Sequence, residues 1–213
     1  MLIDLIFSQI GEDYTPSKSN IFIIFQKPKE LIKFVIIGQD PYPQKGEATG
    51  RSFERELLIW DNVNESLQAI LCSIHFNTHK EFIDFQDVLV KISKSDFLVL
   101  PPNVLFKNWE SVKGVFLLNT SLTTKTGNKN AHRDIWMPFT KKIIAELTNH
   151  SEITWFLWGN EAQNLEPYIN SNNIFKSTHP AYFSYITNSD SSKKVLNEFC
   201  NKSGINKILN FNN

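Results

Sequence analysis

The chain has 213 residues, with 22 Lys and Arg against 22 Asp and Glu, and 41% of its residues are hydrophobic, including 17 Phe and 5 Trp. This composition excludes a disordered chain, which would be poorer in aromatic residues and further from charge balance. The length suits one unit that buries a sizeable core, so we predict a single domain over residues 1–213.

The first segment, MLIDLIFSQIGEDY, carries Asp4 inside its apolar stretch and has no basic start, which is untypical of a signal peptide. No apolar run approaches the roughly 18 residues that a membrane span needs. The two cysteines, Cys72 and Cys200, give no disulfide framework. We therefore expect a reduced cytoplasmic protein without membrane contact, or a nuclear or host-cell protein if the source is eukaryotic or viral.

Four short apolar runs predict strands. Near-continuous hydrophobic strands are buried on both faces, which indicates a parallel sheet covered by helices. In chain order the predicted strands are Phe34–Ile37, Val115–Leu118, Ile153–Trp158 and the weaker Ile174–Ser177.

Helical periodicity appears between these runs. Apolar residues share one helical face in Ser66–Ile74, where Ser66 could cap the helix, and again in Phe139–Leu147 and Lys193–Cys200. The alternation predicts an α/β fold with three layers, α/β/α, around a central four-stranded parallel sheet.

Polar residues follow each predicted strand. Asp40 and Tyr42 come after the first, Asn119 after the second, Gly159 after the third and His179 after the fourth. In open α/β sheets the ligand lies outside the carboxyl ends of the strands. We therefore expect the active site at this edge.

Other kinds of site fit the sequence poorly. The stretch GEATGRS at 46–52 has three residues between its glycines and Arg51 in place of lysine, so it does not match a phosphate-binding P-loop. Cys72, His75 and His79 have helical spacing, but no fourth ligand is evident nearby, so no metal is expected. No Ser-His-Asp triad can be assigned either.

The motifs themselves carry a close resemblance. GQDPY at 38–42, GEATGRSF at 46–53, LLN at 117–119, FLWG at 156–159 and HP at 179–180 occur in the order and approximate spacing of uracil-DNA glycosylases. The chain resembles the major branch that lacks an iron–sulfur cluster, over residues ~20–200. The resemblance implies a monofunctional enzyme that flips uracil out of DNA, hydrolyses its N-glycosidic bond without a cofactor and leaves an abasic site. Two alternatives stay open, a glycosylase for another modified pyrimidine in a viral or defence setting and a non-catalytic DNA-binding module.

The resemblance assigns the catalytic roles to two residues. Asp40 is similar to the aspartate that stabilises the cationic sugar and orients the attacking water. His179 resembles the residue that donates a hydrogen bond to the developing charge on uracil O2, and such a donor is worth ~2.7–4 kcal/mol.

Four further residues resemble those that recognise the base. Asn119 looks like the amide that pairs with uracil N3–H and O4, and Phe53 falls at the position of the stacking aromatic. Tyr42 is similar to the side chain that excludes the methyl group of thymine, and Gln39 lies where backbone groups contact the base.

The resemblance implies DNA contacts with several departures from the family pattern. Asn160 replaces a serine, Phe183 replaces a wedge leucine, and Pro43 replaces a histidine after Tyr42. Apolar wedges fill the gap that a flipped base leaves. The residues expected at DNA are Ser66, His132, Gly159, Asn160, Pro180, Ala181, Phe183 and Ser184.

The expected partner is uracil-containing DNA, single- or double-stranded, bound by a monomer, and a protein inhibitor or replication partner is left open. Zero net charge argues at first sight against nucleic acid. However, residues 1–101 carry 10 basic and 14 acidic side chains, whereas residues 102–213 carry 12 and 8. This segregation weakens the objection, because local potential steers a ligand.

Overall fold

The computed structural model describes residues 2–56, 59–149 and 152–210. Its centre is the predicted four-stranded parallel sheet, and the strands lie in the order β2-β1-β3-β4. Each strand begins and ends within one residue of its predicted bounds. The strands are β1 Phe34–Gly38, β2 Val115–Asn119, β3 Thr154–Trp158 and β4 Ile174–Ser177.

Helices cover both faces of the sheet, which confirms the three-layer prediction. Side chains alternate along β1, so that Phe34 and Ile36 enter one core while Val35 and Ile37 enter the other. The first core is closed by α2 Glu65–His79, α3 Phe85–Ser93, α4 Pro102–Ser111, α7 Ser189–Lys202 and α8 Ile205–Leu209. The second core is closed by α1 Leu2–Ile10, α5 Arg133–Thr148 and α6 Asn160–Gln163.

The predicted helices are present but longer than their apolar patterns. The helix predicted from Ser66 begins at Glu65, and its N-cap is Asn64, whose side-chain oxygen accepts a 2.9 Å hydrogen bond from Leu67 N–H. The prediction of Ser66 as the cap is therefore wrong. An asparagine with extended backbone one residue before the helix is better placed to accept from that amide.

Five of the α-helices in the described part of the chain were not predicted from the pattern, namely α1, α3, α4, α6 and α8. The first segment forms α1, which buries Ile6 and Ile10 in the second core. Helices α3 and α4 lie between α2 and β2 and bury Val88 and Phe106 in the first core. Each of α1, α3 and α4 buries apolar residues three or four apart, so the helical spacing is present in the sequence and was missed.

None of the helices within residues 2–56, 59–149 and 152–210 is both long and apolar enough to cross a membrane.

Cys72 and His75 are buried in α2, and the imidazole of His75 stacks on that of His79 at 4.6 Å. Among the described residues, no group of three or more His, Cys, Asp or Glu side chains is placed to hold a metal ion.

Candidate active site

A cleft of about 310 Å³ opens at the carboxyl ends of β1 and β2. Strand β1 is flanked by β2 on one side and β3 on the other, so the cleft lies where the strand order reverses. The volume is at the small end for ligand pockets, which suits a single ring and sugar. Its lining includes Gln39, Asp40, Tyr42, Phe53, Ser66, Asn119, His179 and Ala181, all of which the sequence predicted as site residues.

Asp40 follows β1 and is held by a loop after β2. The backbone N–H of Asn130 donates a 2.8 Å hydrogen bond to its Oδ2. Burial raises the pKa of the Asp40 carboxyl above its usual value, although this hydrogen bond and the positive charge of Lys129 act in the opposite direction. The site therefore places a partly desolvated carboxylate in the cleft.

His179 caps the 3-10 turn Pro180–Tyr185, and its Nδ1 accepts a 3.2 Å hydrogen bond from Ala181 N–H. Burial, and to a smaller extent the charge of Lys129, lowers the pKa of His179 to about 4. The imidazole is therefore neutral near pH 7. Since Nδ1 accepts, the proton of the neutral ring is on Nε2, where it is free to donate.

Gly159 allows this histidine to approach the end of β3. The glycine has φ +94°, and a Cβ built on it would lie 2.8 Å from Cβ of His179. Contacts between carbon atoms are normally near 3.5–4.0 Å. Any side chain at position 159 would therefore push His179 away.

Asn119 is the last residue of β2 and pairs in register with Gly38 of β1. A Cβ built on Gly38 would lie 2.5 Å from Oδ1 of Asn119. The absence of a side chain at Gly38 is therefore what leaves room for the Asn119 amide, which is buried at the base of the cleft.

Phe53 forms another wall of the cleft. Its φ is +65°, an uncommon conformation that costs on the order of 1–3 kcal/mol for a non-glycine residue. The neighbouring Ser52 N–H is tied to Leu117 O at 3.1 Å, which holds the strained segment against β2. The Phe53 ring lies 5.8 Å from the His179 ring and 5.7 Å from that of Trp158, centre to centre.

Tyr42 is fixed at its hydroxyl and at its ring. Asn64 Nδ2 donates a 3.0 Å hydrogen bond to its hydroxyl oxygen, and the guanidinium of Arg55 lies 5.3 Å from its ring centre. Burial raises the pKa of the Tyr42 phenol above its ordinary value. The side chain is therefore a neutral, rigid part of the wall.

Gln39 lines the cleft, but its polar groups are partly engaged. Its backbone carbonyl accepts a 3.1 Å hydrogen bond from Ser121 N–H, and its side-chain amide donates to Oδ1 of Asn130. These bonds tie the segment after β1 to the segment after β2.

The structure does not bring every predicted DNA contact to the cleft. His132 is buried, and its Nδ1 lies 3.0 Å from Thr123 Oγ1, to which Trp136 Nε1 donates at 2.7 Å. Phe183 is half-buried and packs on the first core, because the turn points it inward. The cleft lining also lacks Gly159, Asn160, Pro180 and Ser184, of which Asn160 and Ser184 are exposed.

Lys129, Tyr182 and Tyr185 line the cleft without having been predicted as site residues. The lysine is close in sequence to the predicted His132, and the tyrosines flank the predicted Phe183. Tyr182 and Tyr185 follow His179 at intervals of three residues, which is the period of a 3-10 turn, and this spacing could have indicated them.

Comparison with known proteins identifies the family of the chain. The model of the uracil DNA glycosylase superfamily matches residues 16–201. A uracil-DNA glycosylase of Fusobacterium nucleatum is 33% identical over 172 residues, which cover 79% of this chain and 67% of that protein. One from Borrelia turicatae is 32% identical over 174 residues, covering 79% and 69%.

Solved structures share the fold. Mimivirus uracil-DNA glycosylase superposes with a TM-score of 0.61 at 25% identity, covering 81% of this chain, and the chain spans 58% of that structure. The enzyme from Nitratifractor salsuginis gives a TM-score of 0.67 at 19% identity, covering 93% and 84%. With a family model that matches most of its length, the chain belongs to the uracil DNA glycosylase superfamily.

Proposed function

We propose that the protein is a monofunctional uracil-DNA glycosylase, which flips uracil out of DNA and hydrolyses its N-glycosidic bond. The observation that carries this proposal is the meeting of the Asp40 carboxylate, the Asn119 amide and the neutral His179 imidazole in one small cleft. The names of the relatives support it, as they are uracil-DNA glycosylases of the same superfamily.

Base recognition follows from the donors and acceptors in the cleft. The carbonyl of Asn119 can accept from uracil N3–H while its NH₂ donates to O4. Cytosine presents an unprotonated N3 and an amino group at these positions, so it would leave polar atoms unpaired in a buried site. The Phe53 ring offers a stacking face, and the fixed Tyr42 ring limits the space for a larger base.

The hydrolysis separates charge, and the site complements both halves. When the bond between C1′ and uracil N1 breaks, its electron pair leaves with the base and the sugar becomes an oxocarbenium ion. The Asp40 carboxylate stabilises that cation and orients a water, whose oxygen bonds to C1′ and whose proton is released. Nε2–H of His179 donates to O2 of the uracil anion, and a preorganised donor of this kind is typically worth ~2.7–4 kcal/mol.

The test is incubation with oligonucleotides that contain uracil, other modified pyrimidines or only normal bases, followed by alkaline cleavage of abasic sites. We expect cleavage at uracil, and Asp40→Asn should abolish it while DNA binding persists. Release of another pyrimidine alone would make the protein a glycosylase for that base, and DNA binding with no release would make it a binding module. Strand breakage before alkali would contradict simple hydrolysis, because it would indicate attack by an amine such as Lys129.

The DNA substrate, the monomeric state and a cytoplasmic location are parts of the same proposal. The Lys129 side chain at the cleft supports DNA as the ligand, since phosphates favour a nearby cation. A structure of a mimivirus uracil-DNA glycosylase variant contains the protein UGI, so a protein inhibitor is a candidate partner here. Size-exclusion chromatography with and without UGI tests the oligomeric state and this partner together.

A further inference from the structure

Two exposed tyrosines lie on the turn that follows His179. Tyr182 is 48% exposed and Tyr185 is 72% exposed, and both line the cleft. They belong to the 3-10 turn Pro180–Tyr185, which has about three residues per turn, so residues three apart project from the same side. His179, Tyr182 and Tyr185 are spaced in this way.

The turn that carries the tyrosines is anchored on its other side. The Phe183 side chain packs on the first core, and its carbonyl accepts a 2.7 Å hydrogen bond from Ser192 Oγ of α7. Within the turn, Tyr182 N–H donates to His179 O at 2.8 Å, and Ser184 Oγ donates to Ala181 O at 2.8 Å. The two rings therefore stand on a fixed backbone.

The rings of Tyr182 and Tyr185 have no aromatic or cationic neighbour within the described ranges, 2–56, 59–149 and 152–210. Other tyrosines differ, since Tyr42 is enclosed and the ring of Tyr168 is covered by Lys141 Nζ at 4.3 Å from its centre. Two uncovered aromatic rings beside a cleft offer faces for planar ligands.

We propose that Tyr182 and Tyr185 form a stacking site for the unpaired bases that neighbour the target nucleotide. The proposal rests on the proposed function and names the part of the DNA that this turn binds. A nucleotide that enters the cleft leaves its neighbours with an uncovered face, and each base has a π-face that an aromatic side chain can cover. The tyrosines stand beside the cleft that takes the target, so the bases next to it are the planar groups within their reach.

The test compares Tyr182→Ala and Tyr185→Ala with Tyr182→Phe and Tyr185→Phe on single-stranded oligonucleotides that contain one uracil. Tyr168→Ala is the matched control, because Tyr168 is 44% exposed and lies outside the cleft lining. We expect each alanine variant to raise KM by roughly 5- to 150-fold, the equivalent of a stacked base, with kcat unchanged. The phenylalanine variants keep the ring and should behave as the wild type.

A second substrate series separates stacking from a change of fold. Replacing the base on either side of the uracil by an abasic analogue should raise KM for the wild type and add little in the alanine variants. Equal effects of the alanine substitutions on both substrates, or no effect on KM, would overturn the stacking site.

A binding measurement keeps this inference separate from the proposed function. The wild type should quench 2-aminopurine in a uracil-free single strand, and the alanine variants should quench it less. If the alanine variants lost quenching but the wild type released no uracil, the stacking site would be retained and the glycosylase rejected. If the wild type released uracil and the alanine variants quenched as strongly as the wild type, the glycosylase would be retained and the stacking site rejected.

Discussion

Asp40 and Asn130 join the two segments that follow β1 and β2, through a 2.8 Å hydrogen bond from the Asn130 backbone N–H to Asp40 Oδ2. Asn130 has φ +64°, a left-handed conformation that asparagine tolerates better than most residues. The same loop is tied to the Asp40 segment by Gly127 N–H, which donates to Pro43 O at 2.9 Å. The carboxylate is therefore oriented by the backbone of the loop that follows β2.

Lys129, which precedes Asn130, should determine how far activity extends toward acid pH. Its charge lowers the pKa of both Asp40 and His179, so its removal should raise both. In the proposed mechanism, the ionised carboxylate and the neutral imidazole are the active forms. We therefore expect Lys129→Gln to move the acid limb of the kcat/KM profile to higher pH, measured from about pH 3 upward so that the range includes the pKa of His179, about 4.

Two variants serve as controls for this shift. Lys129→Arg keeps the charge and should keep the wild-type profile. Lys125→Gln removes a lysine whose charge acts on His132, outside the cleft, and should leave the limb in place. An unshifted limb in Lys129→Gln would show that this lysine does not act on the two groups.

Asp40→Asn should make the protein more stable at neutral pH. Burial raises the pKa of Asp40 in the folded state, so the unfolded chain releases this proton at lower pH, and stability falls as pH rises through that range. Asparagine removes the buried charge and retains an acceptor for Asn130 N–H. We expect a higher Tm for the variant at pH 7, by calorimetry, and a smaller difference at pH values below the ordinary pKa of aspartate.

The exposed Asp96 provides the comparison, since Asp96→Asn removes one charge at a solvated position and should leave Tm nearly unchanged. A lower Tm for Asp40→Asn would mean that the interactions of the carboxylate exceed its cost of burial.

Asn119→Asp should change the base preference. The substitution replaces the amide donor by a second acceptor, which repels O4 of uracil and can accept from the amino group of cytosine. We expect lower excision of uracil and measurable excision of cytosine from single strands. Asn119→Ala should lose uracil excision without gaining cytosine, and a preference unchanged in Asn119→Asp would remove this residue from base recognition.

Gly159→Ala should impair both stability and turnover. The new Cβ would lie 2.8 Å from His179 Cβ and would occupy φ +94°, so we expect a loss of about 1 kcal/mol or more in the free energy of unfolding. The displaced imidazole should also lower kcat. Urea denaturation and single-turnover excision measure the two effects.

Gly46→Ala is a control that has the backbone strain of a positive φ without a new contact to a neighbouring side chain. Gly46 has φ +83°, but a Cβ there would meet no atom within 4 Å. This variant should lose stability and keep kcat. If both variants had the same kcat, the close approach of Gly159 to His179 would have no part in turnover.

The strands and the main site residues were predictable because the signals are local. Each strand is a short apolar run, and Asp40, Asn119 and His179 follow their strands directly. Helices α3 and α4 were missed although each buries apolar residues three or four apart, which is a helical spacing.

The side chains around the site were harder to predict than the positions after the strands. Phe183 stands at the position of the wedge leucine in sequence, yet its direction depends on the phase of a turn that packs on α7. His132 is enclosed by Thr123 and Trp136, a packing relation that no single motif reveals. Lys129 reaches the cleft because the next residue, Asn130, is hydrogen-bonded to Asp40 in the segment after β1.

The parallel sheet determines when the site can assemble during folding. β1 pairs with β2 and β3, both distant in sequence, and His179 comes only after β4 pairs with β3. Non-local pairings of this kind form slowly, because the chain between them must be closed into a loop first. A growing chain can therefore orient Asp40 once β2 and the loop after it have formed. It gains a complete cleft only later, after β4 and the turn that follows it have docked.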